Sequence, residues 1–201
     1  MRKATGIVAA ALGFVAGMAG LEHGYFEIQQ GAVRPPSMMF FPSVGAPCDP
    51  GNIWNACEPA MTVLPSLLAT GILALLLGLA IMIWSAAFIR RTHGGAVLII
   101  LSVLLLLFGG GFFPPLIGLV GGAAGTRINK PLEGNRGRLI RFSAHLWPWP
   151  LAALLAWLLV MFPLGYFFND FLKSIMGFGL LLIPIMLALS VYSGYARDAA
   201  A

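Results

Sequence analysis

The long charge-free stretch at residues 94–126 constrains the fold of this chain most strongly. As one continuous helix it would be about 50 Å long, whereas the hydrocarbon layer of a membrane is about 30 Å thick. Its middle contains a glycine triplet followed by two phenylalanines and two prolines, a pattern that ends a helix. The stretch is therefore predicted to form two short helical legs joined by an apolar turn, and the break is marked by Gly109, Gly110, Gly111, Pro114 and Pro115.

The composition of the whole chain is that of a membrane protein. Its mean hydropathy is +0.90 and only 9% of its residues are charged, against about a quarter in soluble domains. Charge-free stretches long enough to span a membrane occupy residues 4–21, 59–89, 94–126, 146–169 and 174–196. None alternates apolar and polar residues, so the predicted fold is all-α, a polytopic bundle of five or six transmembrane helices.

The basic residues indicate which way this bundle faces, because Lys and Arg collect in cytoplasmic loops. If residues 94–126 cross the membrane once, the 12 Lys and Arg residues divide into five inside and seven outside. If the stretch doubles back, ten lie inside and only Arg34 and Lys173 lie outside. The doubled-back arrangement is therefore predicted, with both termini in the cytoplasm.

This topology gives one integral membrane domain over residues 1–201. The predicted segments are membrane helices at 4–22, 63–89, 148–168 and 171–195, a helical hairpin at 95–126, an outer loop at 23–62 and a basic inner loop at 127–147. Each hairpin leg would reach about 20 Å, so the legs are either two short spans or a re-entrant loop. The first helix is predicted to be an uncleaved signal anchor, the alternative being a cleaved signal peptide.

The outer loop holds both cysteines of the chain, Cys48 and Cys57. An Asp-Pro-Gly turn lies between them, and an extracytoplasmic loop is in an oxidising compartment, so a disulfide is predicted. The alternative is a redox-active pair, which the wide spacing disfavours because redox motifs place two residues between their cysteines. The apolar segment at residues 35–42 is predicted to cap the bundle, dip into the outer leaflet or dock on a partner.

Two ionisable residues near the outer end of the first helix form a candidate site. If the helix continues past Gly24, His23 and Glu27 lie one turn apart and could bind a cation, relay protons or pair with a base of a partner protein. The alternative is an interfacial pair that is already in water. A metal or haem needs further ligands at the same depth, and the remaining histidines, His93 and His145, lie at the opposite side. No metal and no cofactor is therefore predicted.

The inner loop is predicted to contact lipid. Helical spacing from residue 138 to 146 separates apolar from basic residues, which is typical of an interfacial helix. Arg136, Arg138 and Arg141 are predicted to contact anionic headgroups at the inner face. Because the positive charge lies in such juxtamembrane segments, nucleic acid is not predicted as a partner.

Glycines recur along one face of the first helix. A face of small residues allows helices to touch, so close packing is predicted there, either inside the bundle or between subunits. The residues concerned are Gly13, Gly17, Gly20 and Gly24.

The predicted function is a non-catalytic membrane subunit or scaffold that packs with other membrane proteins or with further copies of itself, because the sequence contains no nucleotide-binding loop, nucleophile elbow or zinc-protease motif. The first alternative is a small oligomeric transporter or channel that uses the broken hairpin. The second alternative is a membrane thiol redox protein that uses Cys48 and Cys57.

Overall fold

The computed structural model describes residues 2–34, 62–131 and 137–201. Within these ranges the chain is all-helical and has no β-strand, as the sequence predicts. The loop with Cys48 and Cys57, the apolar segment at 35–42 and Arg136 lie outside the described residues. The helices are α1 (Lys3–Gln30), α2 (Leu67–Ala87), α3 (Gly94–Leu107), α4 (Phe113–Gly125), α5 (Arg138–Leu146), α6 (Trp149–Phe167) and α7 (Asn169–Ala200).

Four of these described helices are long and apolar enough to cross a membrane. They are α1, α2, α6 and the part of α7 at Gly177–Ala200. Helices α3 and α4 have 14 and 13 residues, so each is about 20 Å long and shorter than the hydrocarbon layer.

The first helix is longer than the sequence predicts. The outer loop was expected to begin at residue 23, whereas α1 continues to Gln30. The reason is packing, because Gly24 is buried against Gly71 of α2 and this contact stabilises the helix beyond the first acidic residues.

The described residues divide into two compact units, where the sequence predicts one domain. Unit 1 contains α1 to α4 and ends at Lys130, and unit 2 contains α5 to α7.

Helix α1 is the central helix of unit 1 and packs on α2 through glycines. A Cβ added to Gly24 would lie 2.7 Å from the carbonyl oxygen of Gly71, and one added to Gly71 would lie 2.7 Å from that of Gly24. Gly17 and Gly78 make the same reciprocal approach. The two backbones therefore touch, and for these glycines the predicted close packing occurs inside the unit.

Helices α3 and α4 lie side by side and antiparallel. The start of α3 meets the end of α4, where Gly95 contacts Gly122 and Thr126. Along α1, Leu98 lies beside Gly13 and Leu105 beside Gly20, so α3 runs parallel to α1. Pro114 and Pro115 occupy the first turn of α4, where a backbone N–H has no helical acceptor to lose.

One end of unit 1 collects basic residues, and we call it the basic end. The backbone N–H of Arg2 donates to the carbonyl oxygen of Ile128 at 3.0 Å, and its Nε donates to that of Lys130 at 3.2 Å. Asn129 Nδ2 donates to the carbonyl oxygen of Arg90 at 3.2 Å. The start of α1, the α2–α3 turn and the end of α4 therefore lie together. The basic end consists of Arg2, Lys3, Arg90, Arg91, Arg127 and Lys130.

Unit 2 is built on α7. Helix α6 packs on it where Trp157 covers Gly179, and α5 packs on it where Ile140 and Ala144 cover Ala196. Helix α5 consequently lies beside the carboxyl-terminal end of α7, the end that carries Arg197.

Candidate functional site

The site begins with the segment between α3 and α4, residues 108–112, which we call the helix break. Gly109 and Gly111 have φ angles of +89° and +69°, in the left-handed region that only glycine adopts readily. The N–H of Gly110 donates to the carbonyl oxygen of Leu105 at 2.8 Å and closes the end of α3. The backbone of the turn therefore requires glycine at positions 109 and 111.

The helix break packs on the last turns of α1. A Cβ added to Gly109 would lie 2.8 Å from Glu27 Oε1 and 2.8 Å from the hydroxyl oxygen of Thr70. A Cβ added to Gly111 would lie 2.6 Å from His23 Nε2. Two sites that the sequence predicts separately, the His23/Glu27 pair and the break in the hairpin, are thus one site. Pro114 and Pro115 lie outside it, in the first turn of α4.

The carboxyl group of Glu27 is buried and has no hydrogen-bond partner among the described residues. The residue is 4% exposed, and neither carboxyl oxygen forms a hydrogen bond within residues 2–34, 62–131 and 137–201. His23 is half-buried and does not pair with it, because its ring lies against Gly111 instead. A buried carboxylate without a partner is strongly destabilising, so Glu27 requires either a proton or a positively charged ligand.

Two threonines lie beside the helix break on the side of this carboxyl group. The hydroxyl oxygens of Thr62 and Thr70 lie 2.5 Å apart and share a hydrogen bond, and both residues are buried. Thr62 pairs with Phe108 in an isolated bridge, and the N–H of Val63 donates to the carbonyl oxygen of Leu107 at 3.0 Å. The segment that leads into α2 therefore covers the helix break. Sequence reasoning missed both threonines, because nothing in their local pattern distinguishes them from other threonines near a helix start.

The site lies at the opposite end of unit 1 from the basic end. Gly6 contacts Arg90 and Ile128 at the basic end. At a rise of 1.5 Å per residue, His23 and Glu27 follow Gly6 along α1 by about 25 and 32 Å. The separation is comparable to the thickness of a hydrocarbon layer, so the site lies close to a membrane boundary if the basic end lies at the other.

Helix α5 of unit 2 carries the predicted lipid contacts. Its side chains separate into a buried face that packs on α7, an exposed apolar face and an exposed basic face. Leu139 and Phe142 are 74% and 64% exposed, and Arg138 and Arg141 are also exposed. The helix is thus amphipathic and its apolar face is not covered by the described residues.

Within the described residues, no three side chains of His, Cys, Asp or Glu are grouped closely enough to hold a metal ion. No family model matches the sequence, and the comparisons with curated proteins and with solved structures found no match.

Proposed function

We propose that this chain is a small membrane transport protein whose solute enters beside Glu27, at the helix break. The supporting observation is a buried carboxyl group that lacks a hydrogen-bond partner in the described part of the chain and that faces a turn in which glycine is needed at two positions. Interrupted helices line the substrate sites of many transporters. An ionisable group that is kept buried at a cost in stability is more often functional than structural.

We propose that the basic end of unit 1 faces the cytoplasm. The proximity of Arg2, Arg90 and Lys130 supports the doubled-back path, because a single crossing of residues 94–126 would separate Arg90 from Lys130 by the membrane. The accumulation of Lys and Arg at this end supports the cytoplasmic side. The helix break and the loop with Cys48 and Cys57 then lie on the outside, where the cysteines form a disulfide. Because the break is level with His23 and Glu27, α3 and α4 act as two short spans that reach the outer boundary.

Labelling of single cysteines tests this orientation. In a chain with both Cys48 and Cys57 replaced by serine, Lys130→Cys is expected to be inaccessible to a membrane-impermeant maleimide added to intact cells. Arg34→Cys is expected to react under the same conditions, because it follows the far end of α1. Both positions are exposed, so both must react in opened membranes. Reaction of Lys130→Cys with the maleimide in intact cells would contradict the proposed topology.

The exposed basic face of α5 supports a contact with anionic lipid headgroups at the cytoplasmic surface. Arg138 and Arg141 supply the positive charge, Arg136 precedes them in the chain, and Leu139 and Phe142 can enter the acyl region.

A non-catalytic membrane subunit is the second candidate function. Its support comes from unit 2, where large apolar side chains of α7 such as Phe178 and Leu181 are 74% and 69% exposed. Lipid or another membrane protein can cover such a surface. The glycines of α1 do not support this candidate, because they already pack against α2 and α3 inside unit 1. The thiol redox hypothesis depends on Cys48 and Cys57, which lie outside the described residues, and it stays a prediction.

Flux into reconstituted vesicles tests the transport proposal. The wild-type protein is expected to conduct at least one of four solutes, namely H⁺, Na⁺, K⁺ or glycerol, above the rate of empty vesicles. Glu27→Gln is expected to lower that flux by about tenfold or more, since tenfold corresponds to only about 1.4 kcal/mol of lost stabilisation. Glu22→Gln is the matched control on the same helix and is expected to keep the wild-type flux.

Absence of flux for all four solutes, in protein that is folded and correctly inserted, would contradict the transport proposal. Stable co-purification with other membrane proteins after mild detergent extraction would then favour the subunit. An isolated chain that conducts a solute without any partner would exclude a purely structural role.

A further inference from the structure

We infer that the Glu27 site binds one singly charged cation, a proton or an alkali metal ion, with the carboxyl group of Glu27 as its main ligand and the hydroxyl group of Thr70 beside it. This inference rests on the transport function proposed above and names its solute.

The charge of the site selects a ligand with a single positive charge. Among the described residues, Glu27 is the acidic side chain that contacts the helix break; Thr62, Thr70 and Leu105, which also contact it, are uncharged, and the ring of His23 lies against Gly111. A ligand with one positive charge neutralises this carboxylate. A divalent ion would leave an uncompensated charge in a buried site, and dedicated sites for such ions use several carboxylates.

The three heavy atoms nearest to the position of a Cβ on Gly109 are oxygens. The carboxyl group of Glu27 and the hydroxyl group of Thr70 approach the same position, the one that a Cβ on Gly109 would occupy. The hydroxyl group of Thr62 is hydrogen-bonded to that of Thr70 and orients it. Oxygen ligands favour protons and hard cations over the softer transition metals.

His23 lies at the edge of this site rather than in it. Its ring packs on Gly111, and it forms no hydrogen bond with Glu27. His23 and Glu27 therefore do not pair with each other as the sequence suggests. Instead, His23 contacts Gly111 and Glu27 contacts Gly109, both in the helix break. This leaves the carboxyl group free for a ligand.

Reaction with dicyclohexylcarbodiimide tests the inference on the purified protein. This apolar reagent modifies protonated carboxyl groups in apolar surroundings, and mass spectrometry of peptides identifies the residue that has reacted. We expect rapid modification of Glu27. Glu22→Gln is the matched control and is expected to leave the modification of Glu27 unchanged, whereas Glu27→Gln removes it.

Competition by ions distinguishes the two sources of the charge. Slower modification of Glu27 in NaCl, KCl or LiCl than in choline chloride identifies an alkali metal ion as the ligand. In that case Thr70→Val is expected to raise the protecting concentration about tenfold, the effect of losing about 1.4 kcal/mol of binding. Modification of Glu27 that no metal ion slows identifies the proton.

Two results would overturn the inference. The first is a Glu27 that does not react under any of these conditions in folded protein. The second is protection by Ca²⁺ at lower concentrations than by any monovalent ion. The assay does not depend on flux. Binding of a cation without flux would therefore contradict only the transport proposal. Flux of glycerol together with an unreactive Glu27 would contradict only this inference.

Discussion

Gly24→Val is expected to lower the free energy of unfolding of the protein by about 3 kcal/mol, the upper end of the usual range for overpacking a buried site. A Cβ at this position would lie 2.7 Å from the carbonyl oxygen of Gly71 and 2.9 Å from the backbone nitrogen of Leu75. Both are backbone atoms that cannot rotate away, so α1 and α2 must separate. In thermal unfolding in detergent, the midpoint is expected to fall by about 10 °C.

Gly177→Ala is the matched control for this experiment. Gly177 lies inside α7, and a Cβ there would meet nothing within 4 Å. Alanine in a helix interior is more favourable than glycine by about 0.5–1 kcal/mol, so this variant is expected to be slightly more stable than the wild type. An unchanged midpoint for Gly24→Val would show that the glycine contacts between α1 and α2 do not stabilise unit 1.

Gly109→Ala is expected to destabilise the protein by about 3 kcal/mol and to remove the carbodiimide reaction of Glu27. About 1–2 kcal/mol comes from the left-handed backbone, and the rest comes from the new methyl group. That methyl group would occupy the space beside Glu27 Oε1 and the hydroxyl oxygen of Thr70. Unfolding in detergent and peptide mass spectrometry measure the two effects.

Gly31→Ala separates the two causes. Gly31 follows the end of α1 with a φ angle of +74°, and a Cβ there would meet nothing within 4 Å. Alanine at position 31 therefore causes backbone strain without a steric clash. We expect the free energy of unfolding to fall by about 1–2 kcal/mol and the carbodiimide reaction of Glu27 to stay unchanged. Equal destabilisation by the two variants, both with a reactive Glu27, would contradict the close approach of Gly109 to the carboxyl group.

The break in the hairpin could be predicted because its cause is local. Three consecutive glycines and two prolines act on their own backbone, through positive φ angles and missing N–H groups, whatever surrounds them. The end of α1 could not be predicted in the same way. Residues 23–30 are polar enough to form a loop, and they remain helical because of a contact with α2, which is distant in sequence.

For the site, too, some features have local causes and others depend on contacts that are distant in sequence. His23 and Glu27 attract attention because ionisable side chains are rare in apolar helices. Their position beside Gly109 and Gly111 depends on α3 running parallel to α1 in one particular register, which side-chain packing determines. Helix α2 runs antiparallel to α1, so its first turns, which contain Thr70, lie beside the last turns of α1. A single sequence contains the residues of such a site, but the order in which helices pack decides which of them meet.

The position of α1 at the centre of unit 1 has a consequence for biosynthesis. Within unit 1, α1 precedes α2, α3 and α4 in the chain, whereas the residues that pack on it come from all three helices, as far as Gly121 of α4. Until Thr70 and Gly109 have been synthesised, the carboxyl group of Glu27 lacks the contacts that it makes in the folded unit. The surroundings of Glu27 in unit 1 therefore form only after α3 has been made, because Gly109 follows that helix.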